Sequence, residues 1–463
     1  MSTFEVKAYP ELWQSLDMDV ERVTKACQML GQVYEQSFLS QQNRPEGMAY
    51  FDEMIAELHG ERIKELLAAK AEGRPVVGTF CVYIPEELVL AAGGICIGLC
   101  GGSQGSIPDA EKTLPRNICP MVKSAYGFKA GRICSYFQVA DFLYGETTCD
   151  AKKKTWELLD RLIPTHVMEI PQCKRPHSIA LWQEEVQAFK TKMEETTGSE
   201  MTEENLAQAI QVMNNKRRAL QRLNTLRHHT PSPISGKDSL LIEQIAFYDD
   251  PLRFTQQLNT LCDELDQRVQ NQVSVQSQQA ARVMLAGAPM ALPNWKVHNL
   301  VEGAGAVIVN EESCVGTRYF KDLIDESVTG MDKMLTALTD RYKEIDCSCF
   351  TPNNERIDQM MTNPQGMGLD LGDNLVSKML CCKMSPVPSS NHPICMEICK
   401  HLFCLPMRFK ARRNDLMRNH LVGDSSPSRG AIDMKSLKEE SFGLFLFYAF
   451  SPTLYISSHI ETA

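Results

Sequence analysis

Seventeen cysteines in a chain of 463 residues pose the first chemical question. In a reducing compartment such usage points to metal or redox chemistry more than to a disulfide framework. No two of them stand as C-x-x-C, which disfavours zinc ribbons and bacterial ferredoxin runs. Four occupy places that periodicity alone does not explain. Cys81 ends the strand-like RPVVGTF and precedes a helix begun by IPEE, and Cys119 in LPRNICPMVKSAYG precedes a proline and a short helix. Cys149 in GETTCDAKKKTWELL and Cys314 in IVNEESCVGTRYF each lie between a strand pattern and a helix. Loops leaving the carboxyl ends of parallel strands are where open α/β sheets carry ligands, and a helix N-terminus favours the thiolate that metals require. With Cys347 and Cys349 of DCSCF, five or six thiolates from separate loops are on hand, enough for cuboidal iron–sulfur clusters.

Other readings stay open for these residues. A free cysteine is also a small buried hydrophobe, and a zinc site or a His-assisted nucleophile is conceivable. Cys96 and Cys100 have helical i, i+4 spacing in an apolar, glycine-rich setting and read as core. The basic run Lys152, Lys153 and Lys154 reads as a solvated helix face, with an anion-holding role as the alternative. EGAGAV and LCGGSQG do not complete G-x-G-x-x-G, so a dinucleotide site by motif is not expected.

The elements that must position these residues alternate. Residues 1–73 read as helical, with apolar residues at three-to-four spacing in MAYFDEMIAELHGERIKELLAAKAEG. Residues 74–177 read as a first α/β domain: RPVVGTFCV, SYFQVADFLYG and THVMEIP as strands, AKKKTWELLDRL as a helix. Residues 178–279 form a helical connecting segment, in which Thr202 is set to cap TEENLAQAIQVMNNKRRALQRL. Residues 280–360 return to strands in ARVMLAGAPM and GAVIVNEES, with VGTRYFKDLIDESV as a helix. The expected fold class is α/β, two parallel-sheet domains joined by helices. Residues 361–463 are turn-rich and lack an amphipathic period, and a poorly packed tail is expected there.

Composition narrows the function classes. At 43% apolar and 23% charged residues the chain is ordinary globular protein, and at roughly 100–200 residues per domain it holds two or three domains. A net charge of −10 argues against a broadly basic nucleic-acid binder. The longest apolar stretch, Val89 to Cys100, is too short for a bilayer core of about 30 Å. MSTFEVKAYPELW has no secretory core, so the cytoplasm is the default expectation.

Five motifs in order carry a resemblance: CVYIPEELVLAAGG, LPRNICPMVKSAYG, GETTCDAKKKTWELL, NEESCVGTR and RYKEIDCSCFTPNNER. Together, over roughly residues 5–358, the chain resembles the 2-hydroxyacyl-CoA dehydratase family, which includes the 2-hydroxyglutaryl-CoA dehydratase D component. ETTCDAKKK and the paired CSC most resemble its double-cubane cluster protein branch. The resemblance implies flavodoxin- or Rossmann-like domains with an iron–sulfur cluster between them, 4Fe-4S or double-cubane 8Fe-9S. It implies an ATP-hydrolysing iron–sulfur activator protein as electron donor, and an acyl-CoA or small-molecule substrate. The reaction is then dehydration of a 2-hydroxyacyl-CoA or reduction of a small molecule, in a homodimer or heterodimer. Carried over by motif, Cys81, Cys119, Cys149 and Cys314 match the family's cysteines, Cys347 matches the first Cys of its CSC element, and Cys349 follows as a further metal ligand.

Past about Met360 the pattern departs from the family, where a further strand, a helix and a late cysteine are expected. A reading-frame change would produce such a break. The alternative function is then a truncated, non-catalytic family member acting as a scaffold, with the apolar stretch 445–456 as a contact surface.

Overall fold

A computed structural model describes residues 4–345, Cys347 and the backbone of Leu380–Cys381. All belong to one unit, Met1–Val387; the second unit, Pro388–Ala463, lies outside the described residues. The expected poorly packed tail, 361–463, therefore falls outside them too, apart from the two strand residues.

Two parallel sheets organise the described chain. The first holds β1 (Val76–Thr79), β2 (Ile95–Gly98), β3 (Phe142–Glu146) and β4 (Thr165–Met168) in the order β2-β1-β3-β4. Every pairing is parallel, with Val77 opposite both Cys96 and Phe142, and Glu146 opposite Met168. This is the start of the flavodoxin-type order, in which the chain reverses direction across the sheet between β1 and β3. The second sheet holds β5 (Arg282–Ala286), β6 (Val307–Glu312) and β7 (Leu380–Cys381) in the order β6-β5-β7, again parallel. All residues of β1, β3 and β6 are buried, as expected of parallel strands covered on both faces.

Helices cover and join the sheets. Asp19 caps Val20–Tyr34 by accepting from Arg22 N, and Thr202 caps Glu203–Arg227 by accepting from Asn205 N at 3.1 Å. Helices Pro176–Thr197, Glu203–Arg227, Gly236–Ile245 and Pro251–Gln270 run between the sheets. Glu203–Arg227 ties the halves together. Its Arg217 pairs with Glu87 at 2.5 Å, both fully buried, and Tyr342 donates to the same carboxylate at 2.8 Å. Close backbone approaches add to this: Gly98 N donates to Phe247 O at 2.7 Å and Gly102 N to Leu292 O at 3.1 Å.

The expectations are corrected at four places. Ile95–Gly98 is a strand, so Cys96 and Cys100 are not one helical turn apart. In SYFQVADFLYG only the second half is strand, because Ser135–Val139 is a short helix. After Cys314 the helix lasts four residues, Thr317–Phe320, and the long helix is Met331–Lys343, where Met334, Leu335, Leu338 and Tyr342 form a buried stripe. Leu380–Cys381 pairs with β5, so the region past 361 does contain a strand.

Candidate functional site, a thiol-lined cleft between the sheets

The carboxyl ends of the strands open into one cavity of about 1510 Å³. β1 leads into Phe80 and Cys81, β2 into Leu99 and Cys100, and β3 into Thr148 and Cys149; from the second sheet come Gly287, Glu312 and Cys314. This is the position topology assigns to a ligand, since β1 and β3 flank the point where strand order reverses.

The thiols meet there. Cys314 is buried and shares the cavity lining with Cys81 and Cys347, both of which act on its thiol. Those two neighbours, Cys347 first, together with burial hold the Cys314 thiol well above the usual range. Tyr83 OH donates to Ile345 O at 3.2 Å, which pins the loop after β1 to the end of Met331–Lys343 and so brings Cys347 beside Cys81. Residues 266 positions apart are joined by this fold alone (347 − 81). Cys100 donates to Phe80 O, and burial pushes its thiol up to about 12 against the opposing pull of Lys152.

Two ion pairs flank the thiols. Lys152, 10% exposed, donates to Glu146, which is fully buried at the end of β3. Burial opposes the Lys152 charge, but Glu146 and then Cys81 and Cys100 hold it well above its ordinary value. Arg318 grips both oxygens of Glu312 at 2.5 Å. Desolvation again opposes the charge, and Glu312, Cys314 and Cys347 outweigh it. Phe80, Phe128, Phe137 and Trp295 supply apolar wall, while Arg22 and Lys25 from Val20–Tyr34 lie at the edge.

Of the residues expected as ligands, Cys81, Cys149, Cys314 and Cys347 line the cavity. Cys149 is exposed at the N-cap of helix Asp150–Leu159. Cys119 is exposed at the N-cap of Pro120–Ala130 and lies outside the lining, although Met121 two residues on is part of it. Cys349 lies outside the described residues. Sequence pattern places Cys100 in the core, against which it packs, and Lys152 on a solvated face with an anion-holding role as the alternative; both line the cavity. For Lys152 the available signal is a Glu closing a strand pattern six residues earlier.

Among the described residues no three His, Cys, Asp or Glu side chains close on a single ion. The donor set still fits a thiolate-held group larger than one ion: soft sulfur donors from both sheets, room between them and fixed cations beside them.

Two parallel sheets with strand ends turned to a shared, thiol-lined cavity define an α/β protein with its candidate site between the sheets. Residues 81–365 match the family described as 2-hydroxyglutaryl-CoA dehydratase, D-component, and the chain belongs to that family. It is 35% identical to YjiM of Escherichia coli (strain K12), which carries the name of a dehydratase subunit, over 67% of this chain and 79% of YjiM. It is 21% identical to the (R)-phenyllactyl-CoA dehydratase beta subunit of Clostridium sporogenes, over 61% of this chain and 73% of that one. A benzoyl-CoA reductase subunit of Thauera aromatica is 21% identical over 57% of this chain and 68% of its own. No helix among the described residues is long and apolar enough to cross a membrane.

Proposed function

We propose that this chain is an iron–sulfur subunit of an enzyme that transfers a low-potential electron to an acyl-CoA or another small molecule. The observation that carries the reading is the convergence of Cys81, Cys314 and Cys347 in a cavity that Cys100 and Cys149 also line. A 4Fe-4S or double-cubane cluster bound there would supply one-electron chemistry at low potential. Cys81, Cys314 and Cys347 would hold it from both sheets, with Cys149 at the open side. Phe80, Phe137 and Trp295 keep water from the inner wall. The remaining volume leaves space for a substrate beside the thiols, since small-ligand sites occupy about 300–1,000 Å³.

The reductant is an ATP-hydrolysing iron–sulfur activator protein. Two relatives named as single subunits, one of a dehydratase and one of a reductase, support assembly with a second polypeptide. Both dehydratases and a reductase stand among those relatives, which supports electron transfer as the shared step, ending in loss of water or in reduction.

Anaerobic reconstitution with iron and sulfide is the test. A brown protein with several irons and sulfides per chain, and an electron paramagnetic resonance signal on reduction, is expected. A colourless chain, or one that takes up only zinc, overturns the reading.

A further inference from the structure

The two ion pairs of the cleft are built alike, one on each sheet. β3 ends in Glu146, and six residues on Lys152 turns back to donate to its carboxylate. β6 ends in Glu312, and six residues on Arg318 does the same. Each intervening loop carries a cleft cysteine, Cys149 in one and Cys314 in the other. Lys152 interacts with Cys81 and Cys100, and Arg318 with Cys314 and Cys347. Lys152 and Cys100 line the same cavity, with the Cys81 thiol beside them.

Stability alone does not account for the arrangement. Buried ion pairs are weak evidence for stability, because desolvation offsets most of the Coulombic gain. Glu146 Oε2 has no hydrogen-bond partner among the described residues. Both cations are nearly enclosed, at 10% and 13% side-chain exposure, so water screens them little.

We propose that Lys152 and Arg318 are positioning cations, which fix positive charge beside the cleft thiols and raise the reduction potential of the iron–sulfur group held there. This rests on the reading of the cleft given above. One electron passed from an external donor, which is oxidised, adds one negative charge beside the thiols, and no bond is made or broken. A cation within the same low-dielectric pocket stabilises the reduced form more than the oxidised one. Two such devices, facing from opposite sheets, act on the group from both sides.

The experiment compares Glu146→Gln with Glu146→Gln/Lys152→Met, and Glu312→Gln with Glu312→Gln/Arg318→Met, in the full chain reconstituted anaerobically. Within each pair the carboxylate is absent throughout, so only the cation differs. Redox titration followed by electron paramagnetic resonance is expected to show each cation-free variant reducing at more negative potential than its partner. The expected change in the reduction equilibrium constant is at least tenfold, about 59 mV for one electron. Iron per chain is expected to match within each pair. Potentials that agree within threefold overturn the proposal. So does loss of iron from folded Met variants, checked by circular dichroism, because the cations then hold the group rather than tune it. If one pair fails to fold, the pair on the other sheet decides. A wild-type chain that binds no iron overturns the reading of the cleft itself, whereas loaded chains with unshifted potentials overturn only the role of the cations.

Discussion

Cys314 is the residue on which the cleft turns, because its buried thiol is influenced both by Cys81 from the first sheet and by Cys347 beyond the second. Cys314→Ser is therefore expected to lose most reconstituted iron, whereas Cys262→Ser, fully buried in helix Pro251–Gln270, keeps it. Iron analysis of the two variants checks this, and equal iron contents contradict it. His59, also in the cavity lining, gives a pH prediction. It lies partly buried with Nδ1 2.8 Å from Ser135 Oγ, and burial pushes its pKa from 6.5 down to about 4. The unfolded chain binds the proton first, so stability is complete above pH 6.5 and declines as pH falls toward 4. At pH 5 the loss from this group is about 2 kcal/mol, and His59→Gln is expected to remove that part of the slope in urea titrations at pH 5 and 7. At this scale the sequence marked Cys81, Cys149 and Cys314 because strand-to-helix loops are recognisable from local pattern, and Cys347 through the CSC element of the resemblance. For Lys152 the solvated-face reading fails, and the anion-holding alternative beside it could not be preferred from pattern, because its burial depends on Glu146 pairing across a turn of tertiary structure.

At the scale of elements, the tightest approaches test the packing of the strands and loops. A Cβ on Gly78 in β1 would meet Leu99 Cδ1 at 2.3 Å and Leu143 Cδ2 at 2.6 Å, both ends of side chains that can turn aside. A Cβ on Gly102 would meet the carbonyl oxygen of Ala291 at 2.1 Å, backbone that cannot yield without moving the loop after β5. Gly78→Ala is expected to cost about 1–3 kcal/mol, in the range of overpacked cores, and Gly102→Ala more. Urea midpoints rank the two, and a milder Gly102→Ala contradicts the account. The strands β1, β3, β5 and β6 were legible as short apolar runs between turns. β2 was not, since Cys96 and Cys100 fit a helical spacing and four residues are too few to reveal a period of two. Ser135–Val139 failed the other way: β-branched and aromatic residues suggested a strand, but packing against Glu61–Ala71 makes them a helix.

For the molecule as a whole, the two sheets are held together by charge as well as by apolar contact. Glu87 is fully buried; desolvation works against its charge, yet Arg217 and Arg341 hold its carboxyl below the usual value. Glu87→Gln leaves Arg217 with an uncompensated charge and is expected to cost about 3–5 kcal/mol, read from the urea midpoint. The same joint has a consequence for ligand loading. The candidate ligands come from both sheets, Cys81 from the first and Cys314 and Cys347 from the second, so a group bound to all three exists only when the sheets are docked. A ligand that binds the folded chain alone adds stability according to its concentration over Kd, about 4 kcal/mol at a thousandfold excess. Anaerobic loading with iron and sulfide is therefore expected to raise the thermal midpoint of the full chain in a single transition. Cys81→Ala, which leaves the second sheet's thiols in place, is expected to lose that rise while keeping the midpoint of the unloaded chain. Equal increments in the wild-type chain and in Cys81→Ala would mean that iron is held by one sheet alone, and that the cleft between them is not the site.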